Sequence, residues 1–382
     1  MKIIIAPDSY KGSLSAKEVC DNLEIGIRNV HKEVEIIKVP MADGGEGTLE
    51  TLIDATNGKK IKTIVNDPLF RNIEAQYGIL GNNKTAIIEM SRASGLTLLK
   101  MHERNPLVTT TYGTGQLILH ALDNGCRDFI IALGGSATND GGIGLLGALG
   151  VRFYDENDMY VELTGGGLYQ IRKIDVSGID PRVKESSFTI ATDVQNILTG
   201  VDGAAYIYGP QKGANPLMVL ALDRGLRNFA FVVNKDLGVN IENIRGAGAA
   251  GGLGGGLVGV LNGKIRRGID IVIEYTNLEE KLKDADLVIT GEGRIDNQTQ
   301  FGKTPYGVAK LAEIYNIPVI AIAGSLGDGY EKLYNLGFSG IFSIIDRPMS
   351  LDEAIERTPK LLIGIGGSII RLLKAWEIKT SS

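Results

Sequence analysis

Short apolar runs that stop at glycine-rich polar loops recur along this 382-residue chain, and they constrain its fold more than any other feature. Lys2-Ile3-Ile4-Ile5-Ala6 delivers Asp8-Ser9-Tyr10-Lys11-Gly12-Ser13. The run Val34 to Val39 delivers Met41-Ala42-Asp43-Gly44-Gly45-Glu46-Gly47-Thr48. Phe129 to Leu133 delivers Gly134-Gly135-Ser136-Ala137-Thr138-Asn139-Asp140-Gly141-Gly142. Continuous apolar runs of this length mark strands buried on both faces, as in a parallel sheet, and the helical pattern after each loop is the crossover. The expected class is α/β.

In open α/β sheets the carboxyl ends of the strands are where ligands bind, so these loops are the candidate site. Gly134, Gly135, Gly44 and Gly45 leave backbone amides uncovered, free to approach an anion such as a phosphate. Ser136, Thr138, Asn139 and Asp140 add the oxygens and amide that a hydroxylated substrate or Mg²⁺ takes. A structural alternative stands beside this: one of the polar residues caps the helix that starts near Ile143. Likewise Asp43 and Glu46 are either a carboxylate pair for a cation or acids favoured by a helix N-terminus. Ser15 with Glu18 three residues later reads as a capping box for a helix over 16–28.

From 61 to 90 the texture changes. Strand patterns at 61–65, 73–79 and 85–90 are split by Asn-Asp-Pro and Gly-Asn-Asn turns too short for crossover helices, which implies antiparallel pairing. The chain is expected to form two α/β domains: a discontinuous Rossmann-like, doubly wound domain from 1–60 plus 286–382, and a mixed α/β domain inserted at 61–285. Within the insert, Arg92 can pair with a carboxylate, and the loop 109–115 opens a helix over 116–124 whose amides can take an anion. A further strand ends in Asp193 and Asn196. In the closing third, Asp286 to Thr290 is a strand expected to end in the loop Gly291-Glu292-Gly293-Arg294-Ile295-Asp296, and a last helix is expected over 359–376.

Two motifs fall short. Gly246 to Gly251 matches Gly-x-Gly-x-x-Gly without a strand before it, so a dinucleotide-dependent oxidoreductase of a small hydroxy acid is the weaker reading. Gly302-Lys303-Thr304 ends like a Walker A loop, yet Asn297 stands where its first glycine belongs.

Composition excludes several classes. A net charge of −5 gives no field that draws nucleic acid or an anionic membrane. The 51 glycines exceed the usual ~7% but lie in discrete clusters, as ligand loops do. Cys20 and Cys126 are too far apart in sequence to suggest a disulfide framework or zinc site. The N-terminal apolar run is too short for a signal peptide and no run reaches the ~18 residues of a membrane span, so a cytoplasmic location is expected. None of the three histidines sits by a nucleophile elbow. Acids, amides, a few cations and bare backbone are what phosphoryl transfer uses, with charge neutralisation by Mg²⁺.

Taken as a set, the blocks at 8–13, 41–48, 134–142, 248–256 and 290–296 resemble, in order and across essentially the whole chain, the signature blocks of the class I bacterial glycerate kinases. Two positions depart from that pattern: Gln116 stands where an acid is usual, and Gln195-Asn196-Ile197-Leu198 where Asp-Asn-Pro-Leu is usual. The resemblance implies ATP-dependent, Mg²⁺-assisted phosphorylation of D-glycerate, to 2-phosphoglycerate with 3-phosphoglycerate as the alternative product. It also implies two α/β domains with the active site in a cleft between them. A homodimer is compatible with it, and a non-catalytic sugar-acid sensor is a third reading. On this footing Asp193 or Asp8 is the base, with Lys11 and Arg294 on the substrate carboxylate or the transferring phosphate. Ser9, Ser136, Thr138, Asn139, Asp140, Arg92, Asn196, Gly44, Gly45, Gly134, Gly135 and Glu292 are assigned to substrate or phosphate, and Asp43, Glu46 and Asp296 to Mg²⁺.

Overall fold

Isoleucines at 3, 4 and 5 are wholly buried, as a strand covered on both faces requires, and they seed the first of three sheets among the described residues. The computed structural model describes residues 1–380 and divides into two compact units, Met1–Asp43 with Ile269–Ser382, and Gly44–Gly268. Among the described residues, thirteen strands run in chain order: β1 (Lys2–Ile5), β2 (Glu35–Lys38), β3 (Lys59–Asn66), β4 (Asn72–Ile79), β5 (Thr85–Glu89), β6 (Asp128–Ala132), β7 (Arg152–Tyr154), β8 (Lys173–Asp175), β9 (Ser187–Ala191), β10 (Lys264–Arg266), β11 (Leu287–Ile295), β12 (Val319–Leu326) and β13 (Phe338–Ser343).

The discontinuous unit holds a parallel five-stranded sheet in the order β13-β12-β11-β1-β2. The helix Ala16–Arg28 starts where expected: Ser15 Oγ accepts from the Glu18 amide at 3.3 Å, and the Glu18 carboxylate accepts from the Ser15 amide at 2.8 Å. Its Val19, Leu23 and Ile27 enter a core with Ile3, Ile5, Leu287, Leu362 and Ile370, each fully buried aliphatic contributing about 1.5–3 kcal/mol. Gly26 lets this helix cross the closing helix Leu351–Thr380 at backbone contact, since a Cβ there would collide with the Ile363 carbonyl.

That closing helix starts eight residues earlier than the sequence suggests and carries Pro359 in its interior. Proline removes the N–H that would bind the carbonyl of residue 355. Here the Ser13 hydroxyl donates to the Ile355 carbonyl at 3.0 Å, so the freed acceptor is satisfied. A second difference lies in β11, which does not stop at Thr290. It stays in register with β12 through Ile295 and Leu326, so Glu292 and Arg294 are strand residues and share a face with Thr290.

The other unit is built on a six-stranded mixed sheet, β10-β9-β6-β5-β4-β3. The hairpins β3–β4 and β4–β5 are antiparallel, and β5, β6, β9 and β10 are parallel. The unit begins at Gly44 rather than near 61 because the helix Thr48–Thr56 buries Leu49, Leu52 and Ile53 against β4 and β5; at the far boundary, the division falls after Gly268 rather than near 285. The helix after 109–115 starts at Tyr112, so Gly113 and Gly115 lie inside it and not in a loop. No helix among the described residues is long and apolar enough to cross a membrane.

Candidate active site

Three parallel strands of the discontinuous unit end beside one another, and their carboxyl ends gather the acids. Asp8 follows β1, where its amide donates to the Gly291 carbonyl at 2.8 Å; Asp43 follows β2; Glu292 lies on β11. The Asp8 carboxylate accepts from the Ser9 amide at 2.6 Å, from the Ser9 hydroxyl, and from the Thr304 hydroxyl at the start of the helix Thr304–Ile314. Those bonds favour its ionised form, but enclosure in the protein opposes it more strongly and the charge on Asp43 adds to the opposition. The result is a carboxyl group pushed up to about 7. Glu292 is raised in the same sense by burial, while Lys303 Nζ at 3.1 Å and the Thr299 hydroxyl at 2.8 Å hold its charge in place.

Around this acid group stand the other predicted residues of the unit. Arg294 is largely exposed and reaches Asp296 at 3.2 Å. Asp296 also accepts from the Gln298 amide, an Asx turn that shapes the segment after β11. Lys11 is exposed in the turn after β1. Among the described residues no group of three or more His, Cys, Asp or Glu side chains is arranged to hold a metal ion alone. Mg²⁺ does not demand one: it is held by one or two carboxylates plus substrate phosphates and waters. Asp8, Asp43 and Glu292 lie close enough for the charge on Asp43 to raise the pKa of the other two, and their hard carboxylate oxygens fit such an ion.

In the second unit the ends of β5, β6 and β9 provide the loops. Gly134–Gly142 follows β6 and is stitched to its neighbours by backbone bonds: Leu96 amide to Gly135 carbonyl at 2.9 Å, Ala137 amide to Ser94 carbonyl at 2.9 Å, and Gly141 amide to Gly251 carbonyl at 3.0 Å. Asp140 faces inward. It is wholly buried and accepts from the Thr111 amide and hydroxyl (2.8 and 2.7 Å), the Gly142 amide (3.1 Å) and the Gly144 amide (3.2 Å). One carboxylate thereby caps both the helix Tyr112–Asp123 and the helix Ile143–Ala148. Burial raises its pKa, and those four donors work against the rise.

Thr138 and Asn139 are different. Both are wholly buried, yet Thr138 Oγ1 and both amide atoms of Asn139 have no hydrogen-bond partner within the protein. Ser136 lies next to them, 8% exposed. The Gly246–Gly251 stretch packs onto this loop. Gly251 has φ +69°, and a side chain there would collide with the Thr138 carbonyl and the Asn139 backbone. With turns and no strand ahead of it, this stretch is a packing element.

Arg92 turns to its own unit's acids. It donates to Glu89 at 2.8 Å and to Glu50 at 3.1 Å, with Glu46 a further charge nearby. Glu46 is exposed, and Asp43 is partly buried. Gly44 and Gly45 lie in the same unit as Gly134, and a Cβ on Gly134 would come within 3.1 Å of Gly45. Asn196 is tied down: its side chain donates to the Asp202 carbonyl at 2.8 Å and accepts from Tyr208 at 2.7 Å, and its carbonyl accepts from Gly246 and Gly248. Asp193 follows β9, two residues past its end. Gln116, at the first departure from the family pattern, accepts from the Asn66 amide at 2.7 Å, a contact an acid would also make.

Three residues were missed. Thr304 orients Asp8, Glu89 binds the Gly47 and Leu49 amides at 3.0 Å each and so caps the helix Thr48–Thr56, and Lys212 is buried against the Gly134–Gly142 loop. Glu89 had a signal, a carboxylate ending an otherwise apolar strand. Thr304 and Lys212 had none, because their partners are distant in sequence.

A model of the glycerate kinase family matches residues 3–374. The chain is 49% identical to a glycerate kinase of Halalkalibacterium halodurans, over 99% of both chains. It is 49% identical to the glycerate 2-kinase of Escherichia coli, over 93% of both. A crystal structure of a candidate glycerate kinase 2 from Salmonella typhimurium LT2 superposes with a TM-score of 0.89 at 45% identity, over 99% of both chains.

Proposed function

The chain belongs to the glycerate kinase family, and on that premise we propose that it transfers the γ-phosphoryl group of ATP to the 2-hydroxyl of D-glycerate in the presence of Mg²⁺, releasing ADP and 2-phosphoglycerate. The observation that carries the chemistry is the acid group at the strand ends, where Asp8, Asp43 and Glu292 crowd together with Lys303 close by. A carboxyl group pushed up to about 7 is poised to take a hydroxyl proton near neutral pH. Asp8 therefore serves as the base, with Thr304 and Ser9 orienting its oxygens. The proton of the glycerate hydroxyl passes to Asp8, the freed oxygen bonds to the γ-phosphorus, and the bond to the β,γ-bridging oxygen breaks, leaving with ADP.

Asp43 and Glu292 would hold Mg²⁺, with Asp296 nearby in sequence; the ion supplies neutralisation of phosphate charge. Lys11 and Arg294, both exposed cations, meet the glycerate carboxylate or the transferring phosphate. In the second unit the amides of the Gly134–Gly142 loop, with Ser136, Thr138 and Asn139, take phosphate or hydroxyl oxygens. Asp140 contributes by holding that loop's shape. A cytoplasmic location accords with a protein of this chemistry.

Incubating the protein with Mg-ATP and D-glycerate and resolving the products by ³¹P NMR tests the reaction. Phosphate on the secondary carbon gives a doublet, the expected result; a triplet means the 3-hydroxyl is the acceptor. Intact ATP with no phosphoester removes the reading. Comparing Asp8→Asn with Asp193→Asn then assigns the base: loss in the first with near wild-type turnover in the second supports Asp8, and the reverse moves the role to Asp193.

A further inference from the structure

Lys212 lies in the turn Pro210–Lys212 that precedes the helix Pro216–Leu237, and it is 1% exposed. Its Nζ donates to the Thr138 carbonyl at 2.6 Å, and the charge that favours its ammonium form is Asp140. Burial nevertheless draws the lysine down to about 7, against the pull of Asp140. Replacing a whole buried ion pair by hydrocarbon of like volume is often neutral or stabilising, so a core does not need such a pair to pack. Packing alone therefore does not account for a lysine here.

What the ammonium grips suggests its task. The carbonyl belongs to Thr138, and the polar atoms beside it, Thr138 Oγ1 and the Asn139 amide, are buried without protein partners. Native proteins rarely leave such groups unsatisfied. The backbone around them is pinned from three sides: the Thr109 hydroxyl on the Ala137 carbonyl at 3.1 Å, Gly251 against the Thr138 carbonyl and Asn139, and Asp140 across two helix starts. Beside these and the loop's backbone bonds, Lys212 is a side-chain anchor on the Thr138 carbonyl, at the residue whose side chain is left for a ligand.

We propose that Lys212 is a positioning residue: its ammonium, anchored on the Thr138 carbonyl and balanced by Asp140, holds the Gly134–Gly142 loop in the conformation that offers Thr138 and Asn139 to an oxygen-rich anionic ligand. The inference rests on the reading of that loop as the element that takes phosphate or a hydroxy acid.

The test compares the full-length wild type with Lys212→Met and Lys212→Gln, by hydrogen–deuterium exchange without ligand and by steady-state kinetics with Mg-ATP and D-glycerate. Methionine keeps the volume and removes the donor; glutamine retains an N–H on a neutral, shorter side chain. In Lys212→Met the amides of 138–145 exchange about tenfold faster, as the loss of one well-placed hydrogen bond implies. Its melting temperature falls modestly, because the buried Thr138 carbonyl loses its donor, and kcat/KM falls about 10- to 100-fold. Lys212→Gln falls between the two in both readouts.

Unchanged exchange over 138–145 in Lys212→Met overturns the proposal whatever the kinetics. So does a loss of activity matched by a fall in melting temperature and shared equally by both variants, the pattern of a residue that only supports the fold. If Lys212→Met does not fold, Lys212→Gln decides alone: faster exchange in the loop supports the anchor and wild-type protection overturns it. A loosened loop in a protein that does not phosphorylate D-glycerate removes the glycerate reading and leaves the anchor standing.

Discussion

Asp8 and Asp140 look alike in the sequence, each an aspartate beside hydroxyls and glycines just past a buried apolar run, but their surroundings differ in what they leave undone. Asp140 receives four hydrogen bonds and caps two helices, so its charge is consumed by the fold. Asp8 receives bonds from Ser9 and Thr304 but stands against Asp43 and Glu292, so part of its charge is left uncompensated. A saturated carboxylate stabilises structure; a crowded one is available for chemistry and costs stability.

The largest expected effect on that contrast comes from removing the crowded carboxylate. Asp8→Asn keeps the shape and removes the base, and kcat falls about 10²–10⁴-fold. A variant with wild-type kcat would put the base elsewhere. Asp140→Ala does the opposite. It strands buried amides at two helix starts, and stability measured by denaturant midpoint falls by at least about 2–3 kcal/mol; a loss of activity without loss of stability would mean that Asp140 touches the ligand.

Smaller effects sharpen the comparison. The Asp8 carboxyl is raised from 3.8 to about 7 in the folded protein. Between those values the unfolded chain gives up its proton while the folded one keeps it, so stability declines as pH rises through this window and the full cost is present above it. Asp8→Asn abolishes that cost: free of nucleotide and metal, the variant melts about 2–4 °C above wild type at pH 8 and level with it at pH 4. Equal melting at both pH values would show that Asp8 is not crowded. Smallest is Thr304→Val. The lost hydrogen bond favours the ionised form, so its removal moves the acid limb of the pH–rate profile upward, by less than about one unit. A downward shift would contradict the assigned polarity.

How much of this was legible follows the sequence distance of each interaction. The capping box at Ser15 and Glu18 is three residues long, and both partners can be read together. The strand ends that carry Asp8, Asp43 and the Gly134–Gly142 loop were also legible, because an apolar run followed by glycines and acids is a contiguous pattern, whereas Glu292 was placed in a loop and lies within β11. By contrast, the sequence shows that Arg92 can pair with a carboxylate but not that Glu50 and Glu89 are its partners, and it suggests a helix start at Pro359, which lies inside a helix. Glu89 is three residues from Arg92, but Glu50 and, for the carbonyl that Pro359 frees, Ser13 are far away along the chain.

The sequence by itself determined the α/β class, the parallel strands, the loops at their carboxyl ends and the family signature, since each rests on local periodicity and on residues adjacent in the chain. Only the tertiary structure decided which acids are spent and which are held in reserve. Whether a carboxylate is saturated or crowded depends on donors and charges brought from elsewhere: Thr304 to Asp8 across 296 positions, Thr111 to Asp140 across 29, and Lys212 to Thr138 across 74. Hydrogen bonds and Coulomb forces act over ångströms in space, and folding sets those distances independently of position along the chain.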